Sequence, residues 1–348
     1  MIMSEKSILN LFKSDLAKFL IAAVIVGVVV LLASMFEFGI FIDRNRFILL
    51  LFGLVAIYAI AVSGLDILFG YSGQISLGHA GFYAIGAYVS TLLSHPRMGL
   101  MEWAGFSLPP ILTIFIAGFV AMGFGAIVAF PASKLVAHFL ALLTIAFAEL
   151  VYLAIVSFPG VTRAFLGITG IPPISLFGFA FNTNYRFFLF AFALVLLFLL
   201  IKQRIVHSRI GRVFVAIREN PLAANGVGIK LQHYKVMAFA ISAFFTGIAG
   251  ALYAHMISFI SPETFMFAQS VIFLTMLVFG GAGNMIGPLV GVVVIVGLQE
   301  GTQFWPQGRM LIYGMFLLVT ILFLPRGVFS IVGAVKKLIR KVVSKRNA

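Results

Sequence analysis

The sequence has no cysteine, which excludes disulfides, Cys-ligated zinc or iron–sulfur sites and cysteine nucleophiles. Charge is scarce as well: Asp, Glu, Lys and Arg make up 10% of the 348 residues, against about 25% in soluble domains. No G-x-x-x-x-G-K-[ST] phosphate loop occurs, and no Gly-Lys dipeptide that could place its lysine, so the chain is not expected to be an ATPase. His-E-x-x-His and Asp-rich metal motifs are missing too, which leaves an intramembrane enzyme without visible machinery. The chain is expected to be no enzyme and to bind no metal or cofactor of its own.

What fills the sequence is apolar: 62% of residues are hydrophobic, in unbroken runs long enough for a bilayer core about 30 Å thick. A soluble protein is excluded. Candidate spans are Phe19 to Phe36, Phe47 to Phe69, Gln74 to Ser94, Leu108 to Phe130, Phe139 to Val156, Phe187 to Ile201, Val236 to Phe259, Phe265 to Phe279, Ile286 to Leu298 and Met310 to Leu324. The expected fold is an all-α polytopic transmembrane helix bundle of about ten spans, within eight to eleven, read as one domain over residues 1–348. The first span lacks an A-x-A-like cleavage site and reads as uncleaved. The third and ninth are Gly-rich and the last few short, which allows broken or re-entrant helices.

The net charge of +14 follows topology rather than nucleic acid. With the N-terminus inside, the inner segments collect Lys6, Lys13, Lys18, Lys134, the basic residues between Lys202 and Lys235, and those of the tail 325–348. The outer side keeps only Arg44, Arg46, Arg97, Arg163, Arg186 and Arg309. Both termini are therefore expected in the cytoplasm.

Two turns share the pattern F-G-x-x-G-[QN]-[IM]: Phe69 to Ile75 and Phe279 to Met285. Paired glycines permit positive φ and close backbone approach, and the neighbouring Gln74 or Asn284 can satisfy freed peptide groups. The turns serve as bare connections or as irregular backbone along a path, and their repetition suggests two similar halves. Small residues recur at helical spacing in Ala117, Ala121, Gly125 and Ala129, in Ala243, Gly247 and Ala251, and in Gly287 and Gly291, which marks helix-packing faces.

Ionisable groups within spans are costly, so Asp66, His79, Glu149 and His255 stand out. Ser76, His79, Ala80, Tyr83 and Ala87 share one helical stripe. These residues either line a route for a polar solute or join spans by hydrogen bonds, and Asp66 can instead snorkel to the cytoplasmic surface.

Lys202 to Lys235 is the longest polar stretch. Arg209 to Arg218 alternates basic and apolar residues like an interfacial helix. Asn220 and Pro221 form an N-cap and first-position pair, and Gly226 and Gly228 end the helix after little more than a turn. Its apolar residues Leu222, Ala223, Ala224 and Val227 need a cytosolic groove or the protein's own underside.

At this point the chain resembles the LivM-type permease subunits of ABC importers for branched-chain amino acids. Gly70 to Tyr88 (GYSGQISLGHAGFYAIGAY), Ala216 to Tyr253, Gly280 to Gly291 (GGAGNMIGPLVG) and the TRAFLGITGIP run ending at Pro172 carry the resemblance. It implies a bundle paired with a second, homologous permease, two cytosolic ATPase subunits that bind ATP and Mg, and a periplasmic or lipid-anchored substrate-binding protein, at a prokaryotic inner membrane. Arg218, Glu219, Ala223, Ala224 and Gly226 then fall in the coupling loop that docks on an ATPase. Gly73, Gln74, Ser76, Gly78, His79 and Tyr83, with Asp66, Glu149, Gly283 and Asn284, are the candidates for the translocation path. Two departures stand out: Thr162-Arg163-Ala164-Phe165-Leu166-Gly167 replaces the more usual T-G-G-x-N-G, and Asp66 stands where Asn is common. Urea, short amides and aromatic acids are therefore alternative substrates, and an ion-coupled secondary transporter using Asp66, Glu149 and His79 is the reading from another class.

Overall fold

In a bilayer every peptide N–H and C=O must be satisfied within the protein, and helices do this segment by segment. The computed structural model describes residues 42–96, 107–135, 137–176, 179–181, 184–302 and 308–323. They form twelve helices: α1 (Ile42–Asp66), α2 (His79–Ser94), α3 (Pro110–Ala132), α4 (Ala137–Ser157), α5 (Pro159–Thr162), α6 (Asn184–His207), α7 (Arg209–Glu219), α8 (Pro221–Gly226), α9 (Leu231–Ile257), α10 (Phe267–Gly280), α11 (Gly287–Gly301) and α12 (Arg309–Phe323). A π-helical turn, Ile67–Tyr71, continues α1. The expected first span, the N-terminal lysines and the basic tail lie outside the described residues.

Among the described residues, five stretches are long and apolar enough to cross a membrane: Phe47–Tyr71, Pro110–Ala132, His138–Ser157, Arg186–His207 and Leu231–Ile257. The helices α2, α10 and α11 have 16, 14 and 15 residues. At about 1.5 Å per residue each falls short of a core about 30 Å thick. The third expected span is thus only partly helical. Gly73 takes φ +72°, and the chain stays non-helical through Gly78, the residue before α2.

Burial separates centre from periphery. Two thirds of the apolar windows of α1 and α9 are buried (67% each), against 33% for α3, 28% for α6 and 22% for α4. Nearly all of α2 is buried. Lipid gives helices no hydrophobic reason to associate, so close packing must come from small residues. Accordingly, α3 meets α9 where a Cβ on Gly125 would lie 2.5 Å from that of Ala243, and Gly247 sits against Ala121. Gly86 of α2 abuts the Gly247 carbonyl, and Gly250 abuts that of Tyr83. The expected packing faces on α3 and α9 are real.

The two ends of the bundle differ. One carries the π-turn, α7 and α8. The other carries α5, a 3-10 turn (Ala164–Leu166) and four two-residue strands: β1 (Ile168–Thr169), β2 (Ser175–Leu176), β3 (Phe179–Ala180) and β4 (Phe259–Ile260). β1 pairs antiparallel with β4 through Ile168 with Ile260, and β2 with β3 through Ser175 with Ala180.

Candidate functional site

The arm between α6 and α9 is built by local caps. The Ser208 side chain accepts from the Ile210 and Gly211 amides at 3.2 and 3.4 Å and starts α7. Asn220 Oδ1 accepts from the Ala223 amide at 3.0 Å, with Pro221 in the first helical position, and starts α8. Gly228, at φ +85°, turns the chain toward α9. Along α7 the residues Gly211, Phe214 and Ile217 are buried.

On α8 the apolar set divides. Ala224 is buried against this chain, while Leu222 and Val227 are 85% and 79% exposed, and Ala223 and Gly226 are also exposed. Leu222, Ala223, Ala224 and Val227 are thus not one exposed set: Ala224 faces inward, and its carbonyl accepts from the Ile229 amide at 3.1 Å, which closes the end of α8. A Cβ on Gly226 would meet nothing within 4 Å.

Arg218 joins this arm to the bundle. Its Nη1 donates to the Gly70 carbonyl, and its Nη2 pairs with Glu219 at 2.8 Å on the exposed side. A Cβ on Gly73 would lie 2.6 Å from Arg218 Cγ, so this glycine serves both its positive φ and the arginine stem. Gly283 takes φ +75°, matching the +72° of Gly73 at the same place in the F-G-x-x-G pattern. The two turns also touch, since a Cβ on Gly70 would strike the Gly283 nitrogen.

Under these turns lies an ion pair. Asp66 and Lys202 have fully buried side chains, with Nζ 2.8 Å from Oδ2. Oδ1 accepts from the Gly283 amide at 2.7 Å, and Nζ also reaches the Asn284 carbonyl at 3.5 Å. Asp66 does not snorkel; its helix continues as the π-turn, which carries the chain past the carboxylate and leaves it sealed. Lys202 was read as the first residue of the polar loop, but α6 runs on to His207, since Ile205 and Val206 continue its apolar pattern. The helical turn thus points Lys202 inward, where Asp66 satisfies it.

The other candidates join helices. His79 uses both ring nitrogens, 3.0 Å from Ser76 Oγ and 2.7 Å from Ser242 Oγ. The Leu77 amide donates to Thr144 Oγ1 at 3.0 Å, and Gly78 packs on the Thr144 carbonyl. Gln74 Nε2 donates to Ser72 Oγ at 2.6 Å and to the Lys235 carbonyl at 3.2 Å. Tyr83 is enclosed by Tyr58, Tyr253, Phe265 and Phe273, with ring centroids 5.3 to 6.4 Å away. His255 bonds Ser90 Oγ at 2.9 Å and donates to the Pro172 carbonyl at 2.8 Å. Glu149 stands apart, exposed on α4.

Residues 47–323 match the family described as "Branched-chain amino acid transport system / permease component". The chain belongs to this permease family. It is 32% identical over 297 residues to the high-affinity branched-chain amino acid transport system permease protein LivM of Escherichia coli K12, covering 79% of this chain and 68% of that one. The corresponding protein of Salmonella typhimurium LT2 is 32% identical over 294 residues, covering 78% and 67%. The probable LivM of Methanocaldococcus jannaschii is 28% identical over 248 residues, covering 70% and 69%. No solved structure matches.

The permease keeps glycine-like backbone where glycines are missing. Arg163 and Ala164, where the resemblance leads one to expect two adjacent glycines, take φ +58° and +45°. A left-handed conformation costs a side-chain-bearing residue about 1–2 kcal/mol. Gly167 and Gly170 hold φ +69° and +74°, and Gly167 lies so close to the Ile260 carbonyl that a Cβ would sit 2.6 Å from it. Arg163→Gly is therefore expected to stabilise the permease by about 1 kcal/mol, read as a raised melting temperature in detergent. A lowered one would mean that the arginine side chain stabilises this loop by more than its backbone costs.

Proposed function

We propose that this permease forms half of the translocation path of an ABC importer for branched-chain or related hydrophobic amino acids in a prokaryotic inner membrane. The family match across residues 47–323 carries the reading. The chain itself binds no cofactor and catalyses nothing. ATP and Mg belong to two partner ATPases, a second homologous permease forms the other half, and an external binding protein delivers the solute.

The α7–α8 end is the cytoplasmic end, where the basic residues of the arm agree with the positive-inside rule. Leu222 and Val227 are then the apolar contacts for an ATPase groove, and exposed apolar residues on so short a helix suit such a groove better than water. Movement of α8 reaches the bundle through Arg218, whose hold on Gly70 lies where the two Gly turns meet. An ion-coupled transporter has less support. Asp66 is already neutralised by Lys202 and both nitrogens of His79 are engaged, so among the three groups of that reading Glu149 stands alone on the outer face of α4 rather than in a chain with the other two.

Mild-detergent purification of the tagged permease from its host tests the reading. Two ATPases and a second permease should co-purify, with hydrolysis rising when a binding protein loaded with leucine is added. Stimulation by loaded urea, amide or aromatic-acid binding proteins alone would replace the substrate class. Uptake by the chain reconstituted alone would overturn the importer reading.

A further inference from the structure

The helix α4 is divided lengthwise. Leu140, Thr144, Ala148 and Ile155 are buried, with Thr144 and Ala148 against Gly78 and Gly81 at the start of α2. Leu142, Ala146, Glu149, Leu150 and Leu153 are exposed. Glu149 lies twelve residues after Ala137 and eight before Ser157, about 18 Å and 12 Å along the axis, and so near the middle of the membrane. Among the described residues its carboxylate has no hydrogen bond or ion pair.

A carboxylate at that depth facing lipid tails is costly, and such groups almost always face a water-filled cavity or an opposite charge. The rest of the line agrees. His138, about three turns earlier, is exposed, and Tyr152, one turn later, is half-buried, so polar groups recur along this stripe. The outer face of α3 is the opposite case: Leu112, Phe119, Ile127 and Phe130 are 51% to 68% exposed, a wholly apolar face that suits lipid. Two peripheral helices of one bundle thus present unlike faces.

We propose that the exposed face of α4 lines the water-filled route between this permease and its partner permease, and that the Glu149 carboxylate meets the ammonium group of the amino acid in transit. The second half rests on the function proposed above. The surroundings fit that solute: Leu142, Leu150 and Leu153 offer aliphatic surface beside a single negative charge, the complement of an ammonium group carried next to a branched side chain. A permanent site is not required, because a lone carboxylate without fixed partners attracts a cation and releases it again.

The chain contains no cysteine, so an introduced thiol is the single one on this subunit, and its labelling is read on the separated permease band. Glu149→Cys and, as the lipid-facing control, Ile127→Cys are made in the assembled importer in membrane vesicles. Both are treated with a membrane-impermeant, positively charged thiosulfonate, at rest and during ATP turnover. Glu149→Cys should label at least about tenfold faster than Ile127→Cys, since thiolate forms only in contact with water. Glu149→Gln should slow ATP-driven uptake about tenfold, the loss of one charged hydrogen bond, with Glu149→Asp restoring most of it and the ATPases still stimulated by loaded binding protein.

Absence of labelling in every state would overturn the assignment of the α4 face. Labelling with unchanged uptake by Glu149→Gln would overturn the ammonium contact, as would loss of the partner permease from the purified Glu149→Gln complex, which would make the carboxylate an assembly pair. Failure of the unsubstituted importer to take up amino acids would instead overturn the function reading, while the labelling result would still decide what α4 faces.

Discussion

Lys202→Met is expected to be among the most damaging single substitutions in this permease, with a loss of about 3–5 kcal/mol, because it leaves Asp66 as an unpaired buried carboxylate. The measurement is folded yield and melting temperature in detergent. Asp66→Asn combined with Lys202→Met should recover most of the loss. The amide keeps an oxygen for the Gly283 amide and the thioether fills the lysine channel without a charge. A double variant as unstable as the single one would show that the fold depends on the pair itself rather than on charge balance.

The second large effect is functional. Leu222→Asp with Val227→Asp should abolish ATP-driven uptake, a fall of at least about a hundredfold, because each charge would be taken into an apolar groove without a partner. The amount of permease in the membrane should stay unchanged, since both side chains project away from their own chain. Radiolabelled leucine uptake with immunoblotting of the membrane fraction reads both quantities. Normal uptake would remove α8 from the docking surface. Ala224→Glu is a poorer probe, because Ala224 is buried in the permease and the substitution would lower the membrane level as well.

Legibility from the sequence followed the range of the signal. Asn220 with Pro221, the small residues of α3 and α9, and the positive φ expected in the F-G-x-x-G turns are local features, set by one residue and its near neighbours, and all reappear in the structure. The Gly-rich third span was expected to allow a break, which the late start of α2 bears out, but the place of that break and the π-turn after Asp66 were not legible, because an apolar run does not say where its helix ends. The partners of Asp66 and His79 were missed for a different reason. Lys202 and Ser242 lie 136 and 163 positions further along, and no periodicity joins residues that meet only when helices pack. A lysine following an apolar run reads as a loop boundary; continuation of the pattern through Ile205 and Val206 was the available sign that it belonged inside the helix. Burial also changed what the polar stripe of α2 means. His79 and Tyr83 lie within one chain, and of the two acids Asp66 and Glu149 it is Glu149 that faces outward.

Arg218 holds the bundle through a peptide carbonyl, and its one side-chain partner, Glu219, is its own neighbour on the arm. Every residue type carries that carbonyl, so substitutions over evolutionary time at position 70 cannot signal the bond through compensating changes at 218. Correlated-substitution analysis should therefore recover positions 66 and 202 as a pair while joining 218 to 219 at most and not to 70, and the connection between the docking arm and the bundle would go unseen by any method that looks for residues changing together.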